Sequence, residues 1–276
     1  MTVSRDQIES ACSLLFVPGD RPDRFAKAAD SGADLIIIDL EDAVAELDKP
    51  CARENAAEWL AQGHGALIRI NPPGTPESDA DAEMAARYAA PVMVPKSEDS
   101  AVLADLVRRT AGRSPLIPLV ETAAGVERAM DVCAAAGAVR AALGNVDLAR
   151  QLGVAHDDHL ALAYARSKVV SAAAAAGMCP PVDGVTTGIR DLEALTADIA
   201  LARRLGFTGK LCIHPFQIAP VAAHFAPSEN EQMWARSVLA AGDSVTLVDG
   251  HMVDKPVLER ARRIRDAALR SSAVPR

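Results

Sequence analysis

Short apolar runs, each closed by a turn or a charged residue, recur between residue 13 and about residue 226. They alternate with longer stretches whose apolar positions return every three to four residues. The runs fall at 14–17, 35–39, 66–70, 92–94, 116–120, 139–143, 181–183 and 210–213, the seventh being the weakest. Most are continuously apolar, which is the pattern of strands covered on both faces. The stretches 23–30, 77–88, 98–109, 125–136, 160–176 and 192–205 carry helical spacing, with their polar positions on one side. Eight strand-then-helix units predict an α/β protein, a TIM (β/α)8 barrel, for which about 250 residues is typical. The rival, a doubly wound open sheet, would place a glycine-rich phosphate turn after its first strand. Here that strand runs into Val17-Pro-Gly-Asp-Arg21, and the pair Gly63 and Gly65 precedes a strand instead of following one.

Past this repeat, Ser228-Glu-Asn-Glu231 has the spacing of a capping box and predicts a helix to about Ala241. Gly242-Asp-Ser interrupts it, residues 245–253 read as a hairpin around Asp249-Gly250, and a basic helix over 255–270 closes the chain. The expected division is therefore a catalytic barrel, 1–226, followed by a C-terminal helical and hairpin extension, 227–276, that serves as a lid or a subunit contact.

Composition narrows the function classes. Half of the 276 residues are hydrophobic, enough for a large core, and the net charge of −8 argues against affinity built on neutralising nucleic-acid phosphates. Aromatic residues make up 3%, which removes most of the material for base stacking. No apolar run reaches the roughly 18 residues of a membrane span. The first ten residues are polar and mixed in charge, unlike a secretory signal, so a cytoplasmic location with no membrane partner is expected. Five cysteines without a CxxC pair read as reduced core residues.

A barrel of this kind carries its active site at the C-terminal ends of its strands. The polar residues predicted there are Asp39, Glu41 and Asp42, Arg69 and Asn71, Lys96, Glu121, Asp147 and His214. Glu121 and Asp147 would face the same mouth, and two carboxylates completed by water and a substrate oxygen is the usual way Mg2+ is held. Arg69 supplies a planar fork matched to a carboxylate. A divalent ion opposite an arginine suits a 2-oxo acid, whose carbonyl is then polarised for carbon–carbon bond making or breaking. Each of these residues alone reads equally well as half of a structural salt bridge, and their common placement is what points to chemistry. Lys96 reads as a solvated lysine, since a metal aldolase needs no Schiff base. His156 and His159 read as capping and solvated groups before a helix.

The stretches Leu15-Phe-Val-Pro-Gly-Asp-Arg-Pro-Asp-Arg-Phe, Ile38-Asp-Leu-Glu-Asp-Ala-Val, Ile68-Arg-Ile-Asn, Val94-Pro-Lys, Val120-Glu-Thr-Ala-Ala-Gly and Cys212-Ile-His-Pro occur in this order along nearly the whole chain. With the tail motif Gly250-His-Met-Val-Asp254, they resemble the citrate lyase beta subunit-like branch of the HpcH/HpaI aldolase/citrate lyase family, which also includes malyl-CoA and citramalyl-CoA lyases. The resemblance implies a Mg2+ site, with Mn2+ as the alternative ion, at Glu121 and Asp147, and a grip on the oxo-acid carboxylate by Arg69. It implies coenzyme A contacts at Phe16, Arg21 and Lys27 and along Ile213 and His214. It also implies an acid/base role for Asp254, delivered by an adjacent subunit of a homo-oligomer, trimers being usual. Asp39, Glu41 and Asp42 would support the metal waters or pair with Arg21 and Lys27. Gly144-Asn-Val-Asp147 departs from many relatives at Asn145 and Val146, where Val146 would face the substrate.

The implied activity is cleavage or formation of a citryl-, malyl- or citramalyl-CoA type thioester, giving acetyl-CoA and a 2-oxo acid such as oxaloacetate, glyoxylate or pyruvate. The alternatives are the beta subunit of a citrate lyase complex working on an acyl-carrier thioester, a malate synthase-like condensing enzyme, a free pyruvate aldolase, and a non-catalytic binding protein on an enzyme scaffold.

Overall fold

Eight parallel strands close on themselves in sequence order: β1 (Ser13–Pro18), β2 (Leu35–Asp39), β3 (Leu67–Arg69), β4 (Val92–Val94), β5 (Leu116–Val120), β6 (Ala142–Leu143), β7 (Val182–Asp183) and β8 (Gly209–Cys212). The computed structural model describes residues 2–241, 246–248 and 251–273. The expected (β/α)8 barrel is the observed one, and β8 returns to β1 with Ser13 opposite Lys210 and Leu14 opposite Leu211. Both faces of the strands are covered, as their continuous apolar character required: Ile36, Ile38, Ile68 and Val92 are buried, as are Ile37, Leu67, Met93 and Ile117.

The inner face explains where chemistry can sit. Leu14, Leu35, Ile37, Leu67, Met93, Ile117, Leu119, Ala142, Val182 and Leu211 fill the barrel as one apolar cluster. Side chains on one face recur every second residue. Continuing from this cluster toward the strand ends, Leu14 leads to Phe16, Ile37 to Asp39, Leu67 to Arg69, Leu119 to Glu121 and Leu211 to Ile213. The barrel is thus a packed apolar plug capped by a polar layer at one end.

Most helices lie where the spacing placed them, including Pro76–Arg87, Ser100–Arg109, Ala163–Ala175 and Leu192–Leu205. The expected helix over 125–136 is two short ones, Ala123–Glu127 and Ala129–Cys133, separated at Arg128. The helix Lys49–Ala61 follows β2; its buried residues are Lys49, Ala52 and Ala56, so its sequence carries little apolar periodicity. Of the five cysteines, Cys133 and Cys212 are buried as expected, Cys12 and Cys179 are partly covered, and Cys51 is exposed on that same helix.

The chain resolves into two compact units, Met1–Val221 and Ala222–Arg276. In the second, the helix Glu229–Ala240 starts at the expected capping box, in which Ser228 and Glu231 satisfy each other's backbone donors. Strands β9 (Thr246–Val248) and β10 (His251–Val253) pair antiparallel, and the helix Lys255–Ala273 follows. Ala235, Val238, Val253, Leu258 and Ala261 form this unit's own small core. The expected break at Gly242-Asp-Ser, the turn Asp249-Gly250 and the Gly250 of the tail motif lie outside the described residues.

Candidate active site

Arg69 closes β3 on the inner face, and its surroundings decide what it can do. Asp39, in register beside it on β2, accepts from Nε at 2.7 Å and from Nη2 at 2.5 Å. Glu41 Oε2 lies 3.0 Å from Nη1, and the guanidinium carbon stands 4.8 Å from the centre of the Phe16 ring. Burial opposes the charge on Arg69, but the adjoining carboxylates overcome this and hold its pKa above the ordinary value. The face formed by Nε and Nη2 is committed to Asp39 and Nη1 faces Glu41, so an incoming carboxylate must share the Nη edge of the guanidinium with Glu41.

Lys96 stands two residues past β4 with a left-handed backbone, φ 48°. Its backbone N–H donates to Glu121 Oε1 at 2.9 Å. Its ammonium donates to Glu41 Oε1 at 2.5 Å and lies 3.7 Å from Asp147 Oδ2 and 4.0 Å from Glu121 Oε1. The reading of Lys96 as a solvated lysine is therefore corrected: three carboxylates gather on its ammonium. The sequence offered one signal, a lysine just beyond a fully buried strand end in Val94-Pro-Lys. The partners expected for Asp39, Glu41 and Asp42 are corrected too, since Arg21 pairs with Asp23 in its own turn and the acidic trio faces Arg69.

Glu121 and Asp147 converge as expected. Glu121 follows β5 and is almost fully buried; burial and the charge of Glu41 push its pKa up to about 8, against the Lys96 N–H and the Arg69 and Lys96 charges. Burial likewise raises Glu41, with Arg69 and Lys96 opposing it. Asp147 lies in the first turn of the helix Asn145–Leu152, where the exposed Arg150 contacts its other oxygen at 3.2 Å. Gly144 lets this turn approach Glu121, because a Cβ there would come within 2.5 Å of the Glu121 side chain. Asn145 is buried and ties two loops together, donating to the carbonyls of His156 and Val185 and accepting from the Val185 N–H. Its role here is a brace, while Val146 beside it is 41% exposed.

The acidic loop after β2 is supported from below. Asp81 accepts from Arg53 and from both the backbone and side chain of Asn71, and Asn71 in turn accepts from Lys49, whose ammonium also reaches the carbonyls of Leu40 and Glu41. Other expected residues sit apart from this cluster. Lys27 is exposed on the short helix after β1. Ile213 follows β8, and His214 caps the next turn by accepting from the Phe216 N–H at 3.1 Å. In the second unit Asp254 is half-buried and caps the C-terminal helix, accepting from the Val257 N–H at 3.2 Å. His156 contacts Thr187 and His159 contacts Asp198, so both histidines hold loop side chains in place.

The donor set fits a divalent cation. Asp39 is matched by Arg69 and Glu41 by Lys96, and the exposed Arg150 reaches only Oδ1 of Asp147, which leaves Glu121 and Asp147 Oδ2 in excess around one point. Among the described residues no group of three His, Cys, Asp or Glu gathers as a complete protein cage. Two carboxylates plus water is the arrangement Mg2+ favours.

A family model described as HpcH/HpaI aldolase/citrate lyase matches residues 12–215. A citrate lyase subunit beta-like protein of Mycobacterium tuberculosis is 39% identical over 257 residues, covering 90% of this chain and 92% of that one. A (3S)-malyl-CoA thioesterase of Cereibacter sphaeroides is 34% identical over 264 residues, covering 91% and 92%. Among solved structures, the protein CitE of M. tuberculosis in complex with magnesium, acetoacetate and coenzyme A superposes with a TM-score of 0.81 at 36% identity, covering 94% of this chain and 99% of that one.

Proposed function

From the premise that this chain belongs to the HpcH/HpaI aldolase/citrate lyase family, we propose that it is a Mg2+-dependent carbon–carbon lyase. Its substrate is a citryl-, malyl- or citramalyl-CoA type thioester, cleaved to acetyl-CoA and a 2-oxo acid or formed from them. The observation that carries this reading is the pair Glu121 and Asp147, left in excess of the local cations and facing Arg69 across the barrel mouth. Magnesium is bound together with oxaloacetate in a citrate lyase beta subunit from M. tuberculosis, and with acetoacetate and coenzyme A in CitE.

Glu121 and Asp147 would hold the ion, and when bound it would act as a Lewis acid on the keto oxygen of the oxo acid. Arg69 meets the carboxylate of that acid with the Nη edge that it shares with Glu41. Asp39 and the Phe16 ring keep the guanidinium from turning away, so its direction is set before substrate arrives. Phe16, Arg21, Lys27, Val146, Ile213 and His214 line the approach of the thioester arm. Asp254, supplied by a neighbouring subunit of a trimer, moves the proton on the acetyl carbon, a task that suits a carboxylate withdrawn from water. Among the described residues no helix is long and apolar enough to cross a membrane.

A second reading is thioester hydrolysis, favoured by the relatives named (3S)-malyl-CoA thioesterase. Products separate the two. Citryl-, malyl- and citramalyl-CoA are incubated with and without EDTA; the lyase gives acetyl-CoA and a 2-oxo acid, the hydrolase gives free CoA and the intact hydroxy acid. Asp254→Asn should lower lyase turnover about 10²-fold without changing Mn2+ affinity. Cleavage that persists after complete metal removal would reject the proposal.

A further inference from the structure

We propose that Lys96 is the internal counter-cation of the divalent site: its ammonium shares the carboxylates that would hold the ion, weakens their grip on it, and tunes the site to a charge of two. This deepens the metal-site reading of the preceding section and rests on it. The left-handed turn at Lys96 sets its backbone N–H on Glu121, and its ammonium reaches Glu41, Glu121 and Asp147 together. A positive charge so placed must repel any cation that enters.

The geometry separates charge from position. Glu121 is held by the Lys96 backbone rather than by its side chain, so removing the ammonium leaves this ligand anchored. A long unbranched replacement such as Met meets the same backbone demand at φ 48° as Lys does. With the ammonium gone, Glu41 keeps only its contact with Arg69, and the net negative charge of the carboxylates around the ion rises by one. Attraction scales with the charge of the ion, so a trivalent ion gains more than a divalent one.

The test measures binding on the full chain, by Mn2+ electron paramagnetic resonance and Tb3+ luminescence at pH 8.5. Lys96→Met should tighten Mn2+ about tenfold and Tb3+ about thirtyfold, following the two-to-three ratio of ionic charges in Coulomb's law. Lys96→Arg should stay near wild type. Glu41→Gln with Lys96→Met removes one charge of each sign and should return both affinities to wild type, which a merely structural role of the lysine would not produce. Unchanged affinities in Lys96→Met, or a double variant that fails to return, would overturn the proposal. Glu121→Ala and Asp147→Ala keep the two readings distinct. If they abolish Mn2+ binding while Lys96→Met is inert, only the role of Lys96 falls; if they bind Mn2+ normally, the metal site itself is wrong.

Discussion

Behind β7 and β8, Asp183 meets Arg166 at 3.0 Å, and Lys210 reaches Asp183 at 3.6 Å and Asp198 at 3.7 Å. Thr186 and His159 complete the partners of Asp198, and Lys210 also donates to the Gly184 carbonyl. This cluster is more deeply buried than the one at the barrel mouth, where Asp39, Glu41, Glu121 and Asp147 face Arg69 and Lys96. The difference is in the balance. Two carboxylates meet two cations behind β7 and β8, whereas at the mouth five carboxylates, Asp42 included, meet Arg69, Lys96 and the exposed Arg150. The balanced cluster needs nothing more and pins the loops after β6 and β7. The unbalanced one keeps Glu121 at a raised pKa of about 8 and is complete only with added positive charge. Burial of charge alone does not mark a functional site; an excess of one sign next to an opening does.

The largest effect is expected at the excess pair. Glu121→Ala and Asp147→Ala should each abolish measurable Mn2+ binding by calorimetry and lower lyase turnover by about 10³-fold or more, the scale on which losing an electrostatic stabiliser is felt. Stability should hardly change, since Glu121 has no full counter-charge to lose and the Arg150 partner of Asp147 is exposed.

Asp183→Asn should do the opposite. It leaves Arg166 and Lys210 with less compensation in a dry environment and should cost about 3–5 kcal/mol of unfolding free energy in urea titrations. The folded fraction should bind Mn2+ as the wild type does. If instead it kept its stability and lost metal binding, the contrast between the two clusters would be void.

Gly144→Ala sharpens the comparison by geometry rather than charge. The added Cβ presses on Glu121, and divalent affinity should drop about 10- to 100-fold, the usual result of disturbing the support of a ligand. Circular dichroism should show the barrel intact.

The smallest effect is in pH. With a folded-state pKa of about 8 against an ordinary 4.5, Glu121 binds a proton that the unfolded chain has already lost across that range. Its contribution to the stability of the metal-free protein is therefore full at low pH and declines as pH rises through 8. In EDTA the melting temperature should be lower at pH 9 than at pH 6, and Mg2+ should remove the difference. Metal affinity runs the other way, falling about tenfold per unit as pH drops below 8, because one proton must leave for the ion to bind. A flat profile would place Glu121 among the ordinary surface carboxylates.

Much of this was legible along the chain. Val92–Val94 and Leu116–Val120 are strands at the residues where continuous apolar runs begin and end, because a parallel strand covered on both faces favours apolar residues at successive positions. Asp39, Arg69 and Glu121 could be picked out because each follows such a run by two-residue steps from an inward apolar side chain. Lys96 could not be read in this way: its side chain departs from the strand through a left-handed turn, which period-two reasoning does not foresee. Nor could the commitment of one face of Arg69 to Asp39, which depends on the register between β2 and β3.

Local patterning by itself determined the eight-unit barrel, the acidic and basic strand ends and the capping box at Ser228, since these follow from periodicity and from backbone groups a few residues apart. Only the folded chain decided which carboxylate is neutralised by which cation. That depends on distances between residues as remote in sequence as Glu41 and Lys96, and Coulomb energy varies with distance in space, to which spacing along the chain is no guide.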